Sequence, residues 1–436
     1  MRLRKSSIID FFKSSIVNKS IKVLFIRILG VLLFFGVTIF LTNYFDPELV
    51  GKYDFSRSLL IFLGAISVFG MHQSIIYYSG YLASINNRGY LKRIYYKMIF
   101  IVFVISGLLY FISQLLRIEF IGEYLNLSLT NTAIKTILAL FFYGLTMLNI
   151  DVFRAINKIY LSEFYRNIFR YIIFFIGVVI IFYTDNLTRL VDVFLLNFVF
   201  LALCSSIILL YLFSKTDYTP NTVKITYKDI IKKSAPMAVT ATSFFLMQSL
   251  DILMLTKFTN YETVAFYASA VKLTMIISIV LASVNIVMGP QIAEFFASGK
   301  MNKLKENIKK GTRLIFFITF PLILVLALLS SFALGIFGEE YKAAKYALLI
   351  LLIGQIINTL CGSVGIYLNM TGKQNIFQII LISALVLNVI LNFILIPKIG
   401  MIGAAIATST SMILWNIIAV IYVYKKDRIK IFLTIR

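Results

Sequence analysis

Leu190-Val-Asp-Val-Phe-Leu-Leu-Asn-Phe-Val-Phe-Leu-Ala-Leu-Cys-Ser-Ser-Ile-Ile-Leu-Leu-Tyr-Leu-Phe213 carries a single charge, Asp192. As a helix it reaches about 36 Å, enough to cross ~30 Å of hydrocarbon. Eleven further runs read the same way, giving candidate spans near 22–43, 55–79, 98–116, 133–153, 167–184, 190–213, 235–257, 263–289, 314–337, 343–369, 376–397 and 401–424. The eighth can run past Pro290. Hydrophobic residues make up 60% of the 436 positions and charged ones only 14%. A soluble domain of that composition would expose large apolar patches, so the expectation is an all-α polytopic membrane protein with twelve transmembrane helices.

The cations between the runs set an orientation. The N-terminus, the loops after even-numbered spans and the C-terminus together hold 30 Lys and Arg, and the loops after odd-numbered spans hold 7. The positive-inside rule then places both termini in the cytoplasm. The net charge of +23 follows from that orientation. Anionic lipid headgroups satisfy it without a nucleic-acid partner. The remaining cations, Arg27, Arg57, Lys135, Arg170 and Lys272, lie within or at the ends of spans. The longest polar connection, 214–234, holds Lys215, Lys224, Lys228, Lys232 and Lys233 and divides the chain into an N-terminal half, 1–213, and a C-terminal half, 235–436, of six spans each.

Several chemistries are excluded. Cys204 and Cys361 sit in separate apolar runs and read as buried free thiols. His72 is the single histidine, leaving no zinc cluster or Ser-His pair. No phosphate-cradling Gly-x-x-x-x-Gly-Lys-[Ser/Thr] loop occurs. The basic N-terminus lacks the apolar core of a signal peptide; Ile8, Phe11, Phe12 and Ile16 recur there at helical spacing and suit an amphipathic lead-in on the membrane surface.

Glu48-Leu-Val-Gly-Lys-Tyr53 and Glu262-Thr-Val-Ala-Phe-Tyr267 share an E-x-V-small-x-Y pattern, each followed by a cation, Arg57 or Lys272, nine or ten residues after the acid. The pattern points to duplication of a six-span unit, a known construction in transporters. A charge in mid-span costs about 2.5–3.5 kcal/mol and is seldom left facing lipid. Arg57 and Lys272 therefore read as cavity-lining. Arg27, a turn into its span, can snorkel or face the same cavity. Lys135 and Arg170 read as interfacial anchors, and Asp151 and Arg154 as a local pair. Asp251 in span seven has two readings, a structural ion pair with one of these cations or a coupling site for H+ or Na+. Gln248, Gln355, Asn358 and Gln378 suit either a hydrated lumen or interhelical glue. The balance of deep charge is positive, which favours an anionic substrate such as phosphate or diphosphate.

Taken together, several stretches resemble the polysaccharide (O-antigen or lipid-linked oligosaccharide, Wzx-type) flippases of the MATE-like MOP exporter superfamily. They are Asp46-Pro-Glu-Leu-Val-Gly-Lys-Tyr53, Asp251 with Val264-Ala-Phe-Tyr-Ala-Ser-Ala270, Pro290-Gln-Ile-Ala-Glu-Phe-Phe296, Phe337-Gly-Glu-Glu-Tyr341 with Ala343 and Ala344, and Asn388 to Thr408. Order and spacing agree over nearly the whole chain. Lys272 stands where the family more usually has Arg, and Asp46 where Gly is common. The resemblance implies two six-helix lobes around a central cavity, no enzymatic activity, and alternating access that moves a polyprenyl-diphosphate-linked glycan across the bacterial inner membrane. It further implies that Arg27, Arg57 and Lys272 meet the diphosphate, and that a polymerase and other glycan-assembly proteins act alongside. A multidrug antiporter of the same superfamily would want acidic cavity residues. A membrane glycan polymerase would want a sizeable external loop with Arg and His, and this sequence has none.

Overall fold

A computed structural model describes residues 15–84, 87–116, 127–215 and 225–434. Ile8, Phe11 and Phe12 of the amphipathic lead-in lie outside these residues, as do 216–224 of the central connection. The described residues are almost entirely helical. In chain order the helices are α1 (Ser15–Tyr44), α2 (Pro47–Val68), α3 (Met71–Ser84), α4 (Leu91–Leu116), α5 (Leu127–Leu138), α6 (Leu140–Ala155), α7 (Ile159–Phe164), α8 (Arg170–Tyr183), α9 (Leu190–Ser214), α10 (Tyr227–Phe258), α11 (Tyr261–Ala297), α12 (Met301–Leu328), α13 (Ser330–Gly335), α14 (Lys345–Cys361), α15 (Val364–Met370) and α16 (Gln374–Asp427). A π turn, Tyr165–Phe169, joins α7 to α8.

Among the described residues, eight helical stretches are long and apolar enough to cross a membrane, or ten with two bent pairs each taken as one span. The pairs are α2 with α3, bent by 45°, and α5 with α6, bent by 40°. The eighth span runs unbroken through Pro290 to Ala297. α16 has 54 residues, about 81 Å of helix and more than twice a hydrocarbon core. Its backbone leaves the helical region at Ile399 and Gly400, two and three residues after Pro397. Gly400 takes φ +55 with ψ −133, a conformation that only a residue without Cβ adopts at little cost. The break falls in the gap read from sequence between 397 and 401.

The outward faces are apolar. Phe100, Phe103, Leu108, Phe111 and Ile112 line one exposed side of α4, and Ile379, Val386, Ile390 and Phe393 one side of α16. In water such stripes would drive aggregation; against lipid they are the required surface, because every backbone polar group is already paired inside its helix. The protein is therefore a multi-pass membrane protein.

The chain divides into two compact units. The first takes residues to Tyr44 and Leu59–Thr242, and the second Phe45–Ser58 and Ser243–Arg436. The start of α2 thus belongs with the C-terminal residues although it lies near the N-terminus. Within the second unit, Met288, Ile292, Leu304, Ile308, Tyr367, Leu368 and Val423 form a core that the C-terminal segment completes with Ile429 and Ile431.

Candidate functional site

α2 opens on Pro47, whose fixed φ suits a first helical position, and the Asp46 side chain accepts the Glu48 N–H at 2.8 Å. That start sets the helix phase and puts Asp54 and Arg57, three residues apart, on one side. Gly51 lets the helix lie directly on the start of α11: a Cβ there would stand 1.8 Å from the Tyr261 carbonyl oxygen. Phe55 packs edge-on against the Tyr261 ring at 6.1 Å, and the Lys52 ammonium is 5.6 Å from the same ring. The two E-x-V-small-x-Y segments consequently meet within one unit.

This close approach creates a buried ion pair. Lys272 Nζ donates to Asp54 Oδ2 at 2.8 Å, with side-chain exposures of 1% and 0%. Arg57 Nη1 stands 3.9 Å from Asp54 Oδ1, beyond hydrogen-bond reach, with 20% of its side chain exposed. Among the described residues Asp54 Oδ1 has no hydrogen-bond partner, and neither do the buried Ser269 Oγ, one turn before Lys272, and Tyr341 OH. The sequence placed Arg57 and Lys272 at equivalent points of two halves. The structure gathers them around one carboxylate, Asp54, that the sequence reading did not single out.

A second pocket of the same unit surrounds Asp251. Its carboxylate accepts Asn392 Nδ2 at 2.7 Å, Tyr267 OH at 2.9 Å, Asn388 Nδ2 at 3.4 Å and the Thr408 hydroxyl. Asn392 Nδ2 also reaches Asn388 Oδ1 at 3.0 Å, and Asn392 Oδ1 is buried without a partner. These donors are neutral, so Asp251 is held by amides and hydroxyls from α11 and α16. The oxygens of Asp251, Asn388, Asn392 and Thr408 are hard ligands of the kind a small monovalent cation takes, and the carboxylate can equally hold a proton. Among the described residues no group of three or more His, Cys, Asp or Glu could hold a metal ion.

In the first unit Arg27 forks onto Glu163, Nε to Oε2 and Nη2 to Oε1, both at 2.8 Å. Asn167 Nδ2 adds a third bond to Glu163 Oε2 at 3.0 Å. Asp151 accepts Arg166 Nη2 at 2.6 Å, from fifteen residues on, and not the hydrogen bond of Arg154 that its spacing suggested. α7 presents Glu163 and the π turn Asn167 to α1, while Arg166 of the same turn reaches α6. An inserted residue of this kind breaks the 3.6 period, and such bulges frequently sit at functional sites.

The remaining candidates have local roles. Lys135 bridges to Asp192 at 2.7 Å, and Arg170 lies over the Tyr171 ring at 4.6 Å. Gln355 accepts Asn358 Nδ2 at 3.3 Å and donates to Ser278 Oγ at 3.4 Å, while Asn416 donates to Asn358 at 3.2 Å. These bonds join α11, α14 and α16 as interhelical glue. The Gln248 side chain lies outside the described ones. Cys204 and Cys361 are both free thiols, the second buried and the first partly so.

Helices with lipid-facing apolar sides and charges folded inward define a polytopic membrane protein. The fold matches the lipid II flippase MurJ in an inward closed conformation, with TM-score 0.68, 16% identity and coverage of 93% of this chain and 87% of that one. It also matches an inward-facing multidrug resistance MATE family transporter of the MOP superfamily, with TM-score 0.72, 15% identity and coverage of 92% and 96%. At such identities these matches speak for the fold alone.

The family model described as polysaccharide biosynthesis protein matches residues 16–296, and the MatE model matches 236–394. The chain belongs to the polysaccharide biosynthesis protein family. A Shigella flexneri protein carrying the name O-antigen transporter is 27% identical over 45% of this chain and 49% of its own. An uncharacterised membrane protein of Methanocaldococcus jannaschii is 35% identical over 36% and 32%. A Haloferax volcanii protein named as a flippase of low-salt glycan biosynthesis is 26% identical over 37% and 34%. The chain thus spans between about a third and a half of the length of the curated relatives it matches.

Proposed function

We propose that this protein is a flippase, moving a polyprenyl-diphosphate-linked oligosaccharide repeat unit across the bacterial inner membrane by alternating access, without acting as an enzyme. The observation that carries the reading is the pairing of Arg57 and Lys272 beside a single carboxylate with an unmatched oxygen. A diphosphate offers such cations more acceptor oxygens than Asp54 does. The names of the relatives support the substrate class. The architecture is two six-helix lobes, 1–213 and 235–436, joined by 214–234 around a central cavity, with both termini cytoplasmic; α16, long enough for two spans and broken at Gly400, supports a count of twelve.

The lipid tails stay in the bilayer, the diphosphate meets Arg57, Lys272 and Arg27, and the glycan occupies the hydrated lumen. Moving an anion outward across a membrane with an inside-negative potential gains ~2.3 kcal/mol per charge per 100 mV. Arg27 is bound by a two-bond fork to Glu163, whereas Lys272 makes a single bond to Asp54, so Arg57 and Lys272 carry the larger share of the contact. The Asp251 pocket is the coupling site, exchanging H+ or Na+ during the return of the unloaded carrier. A polymerase or another glycan-assembly protein then receives the unit on the far side.

A multidrug antiporter is the second reading, and the MatE match over 236–394 favours it. The two are separated by where repeat units collect in cells lacking the protein. A flippase predicts complete lipid-linked units facing the cytoplasm. Units facing the periplasm, or no accumulation with lost resistance to cationic dyes, would remove the flippase reading.

A further inference from the structure

Residues 424–434 of the second unit form a segment with two unlike faces. α16 stops at Asp427, where Arg428 takes the left-handed conformation, φ +54, that turns a chain out of a helix. From there the residues alternate as in an extended strand: Ile429 and Ile431 are buried, whereas Arg428, Lys430 and Phe432 are exposed. The backbone of this stretch is fastened to two helices. Thr312 Oγ1 donates to the Ile431 carbonyl at 2.9 Å, and Arg313 Nε and Nη2 donate to the Thr434 carbonyl at 3.0 and 2.8 Å. The Leu433 N–H donates to the Leu360 carbonyl at 2.9 Å, one of those that the end of α14 leaves without a helical donor.

Those contacts also fix the level at which the segment lies. On α12, Lys303, Lys305 and Lys310 precede Thr312 and Arg313 as exposed cations, and Leu314, Phe317 and Ile318 follow them as exposed apolar side chains. A helix changes in this way where it enters the bilayer, so the segment runs along a membrane surface. Its one acid, Asp427, is mostly buried and is held by Lys373 Nζ and by Tyr367 OH, the latter at 2.9 Å. The exposed side of the segment thus offers four cations, Lys425, Lys426, Arg428 and Lys430, and the rings of Tyr424 and Phe432.

We infer that residues 424–434 are a strap whose exposed side binds anionic phospholipid headgroups, and that the lipid keeps the strap seated on α12 and α14. Clustered Lys and Arg at a membrane surface attract anionic headgroups, and Tyr and Phe beside them suit the boundary between headgroup and acyl chain. Headgroups reach all four cations together only while the strap is docked, so lipid binding favours the docked state by mass action.

The test is amide exchange on the full-length protein in nanodiscs of phosphatidylcholine alone and of equal parts phosphatidylcholine and phosphatidylglycerol. A cation near an anionic surface counts for about fivefold in binding, so protection across 429–434, relative to intrinsic exchange, should rise at least about fivefold with phosphatidylglycerol. The rise should shrink as salt is added, because salt screens exposed charges. It should be mostly lost when Lys425→Gln, Lys426→Gln and Lys430→Gln are combined, substitutions at exposed positions that leave Ile429 and Ile431 in the core. Lys342→Gln, which removes an exposed cation paired with Glu339, should leave the rise intact. Wild-type protection that is equal in the two lipids would overturn the proposal, as would a rise that survives the triple substitution. A rise reproduced in phosphatidylcholine by inorganic phosphate would also overturn it, assigning the cations to a soluble anion.

Discussion

Two intramembrane ion pairs, one in each unit, use the same chemistry to different ends. Arg27 and Glu163 form a closed lock: two parallel bonds at 2.8 Å, a third from Asn167, and an arginine still 38% exposed. Lys272 and Asp54 form an open one: a single bond at 2.8 Å, both groups sealed from solvent, and one carboxylate oxygen unmatched. Arginine saturates its partner with a planar fork, whereas lysine offers a point charge and leaves room for another ligand. A saturated pair is a structural tie. An unsaturated pair leaves one carboxylate oxygen open to another donor.

The comparison breaks most sharply when one partner is removed. Lys272→Met leaves Asp54 buried without its cation and should destabilise the protein by about 3–5 kcal/mol in thermal unfolding, a loss that the double variant with Asp54→Leu recovers. Glu163→Gln strands an arginine that can still reach water, so a smaller loss of about 1–3 kcal/mol is expected. Equal losses at the two sites would erase the distinction between closed and open pairs.

Asp251→Asn extends the comparison to a carboxylate held only by neutral donors. Transport in vesicles should lose its dependence on pH or sodium while the protein inserts and folds normally, since the amide keeps part of the hydrogen-bond set. Unchanged ion dependence would reduce Asp251 to a packing role. The smallest effect is expected at the start of α10, where Thr226 and Asp229 form a capping box: the Thr226 N–H and hydroxyl reach Asp229 Oδ2 at 2.8 and 2.7 Å. The Thr226 hydroxyl and N–H hold the Asp229 carboxyl below its usual range. The cap is therefore present above the ordinary carboxylate value and is lost as pH falls through the depressed one. Protection of the amides at 227–230, taken relative to their intrinsic exchange, should fall in acid and in Thr226→Ala, and be unchanged in alkali.

Much of the fold was legible in the sequence because lipid imposes a simple rule. Long apolar runs must be helices, and the break at Gly400 was marked by Pro397, Lys398 and Gly400. The sites were only half legible. Lys272 and Arg57 stood out as costly charges, but Asp54 lies 218 residues from Lys272, and nothing local ties them except that Asp54 is itself an acid three residues from Arg57. Asp251 was visible, and so were Asn388, Asn392 and Thr408 as parts of a motif. The i, i+4 spacing of the two asparagines was the signal that they share a helix face and converge on a partner. Glu163 was hidden in what read as a basic loop, since α7, the helix that carries it, has only six residues and no hydrophobic period to betray it.

On the flippase reading, the cations at Arg57 and Lys272 carry a lipid-linked diphosphate across the membrane. It is tested most directly by complementing a flippase-deficient strain that holds the cognate glycan pathway, comparing wild type with Arg57→Ala and Lys272→Ala at matched membrane abundance. Wild type should restore surface glycan and Arg57→Ala should not, although it inserts normally. Full restoration by both variants would contradict it and leave these charges as structural.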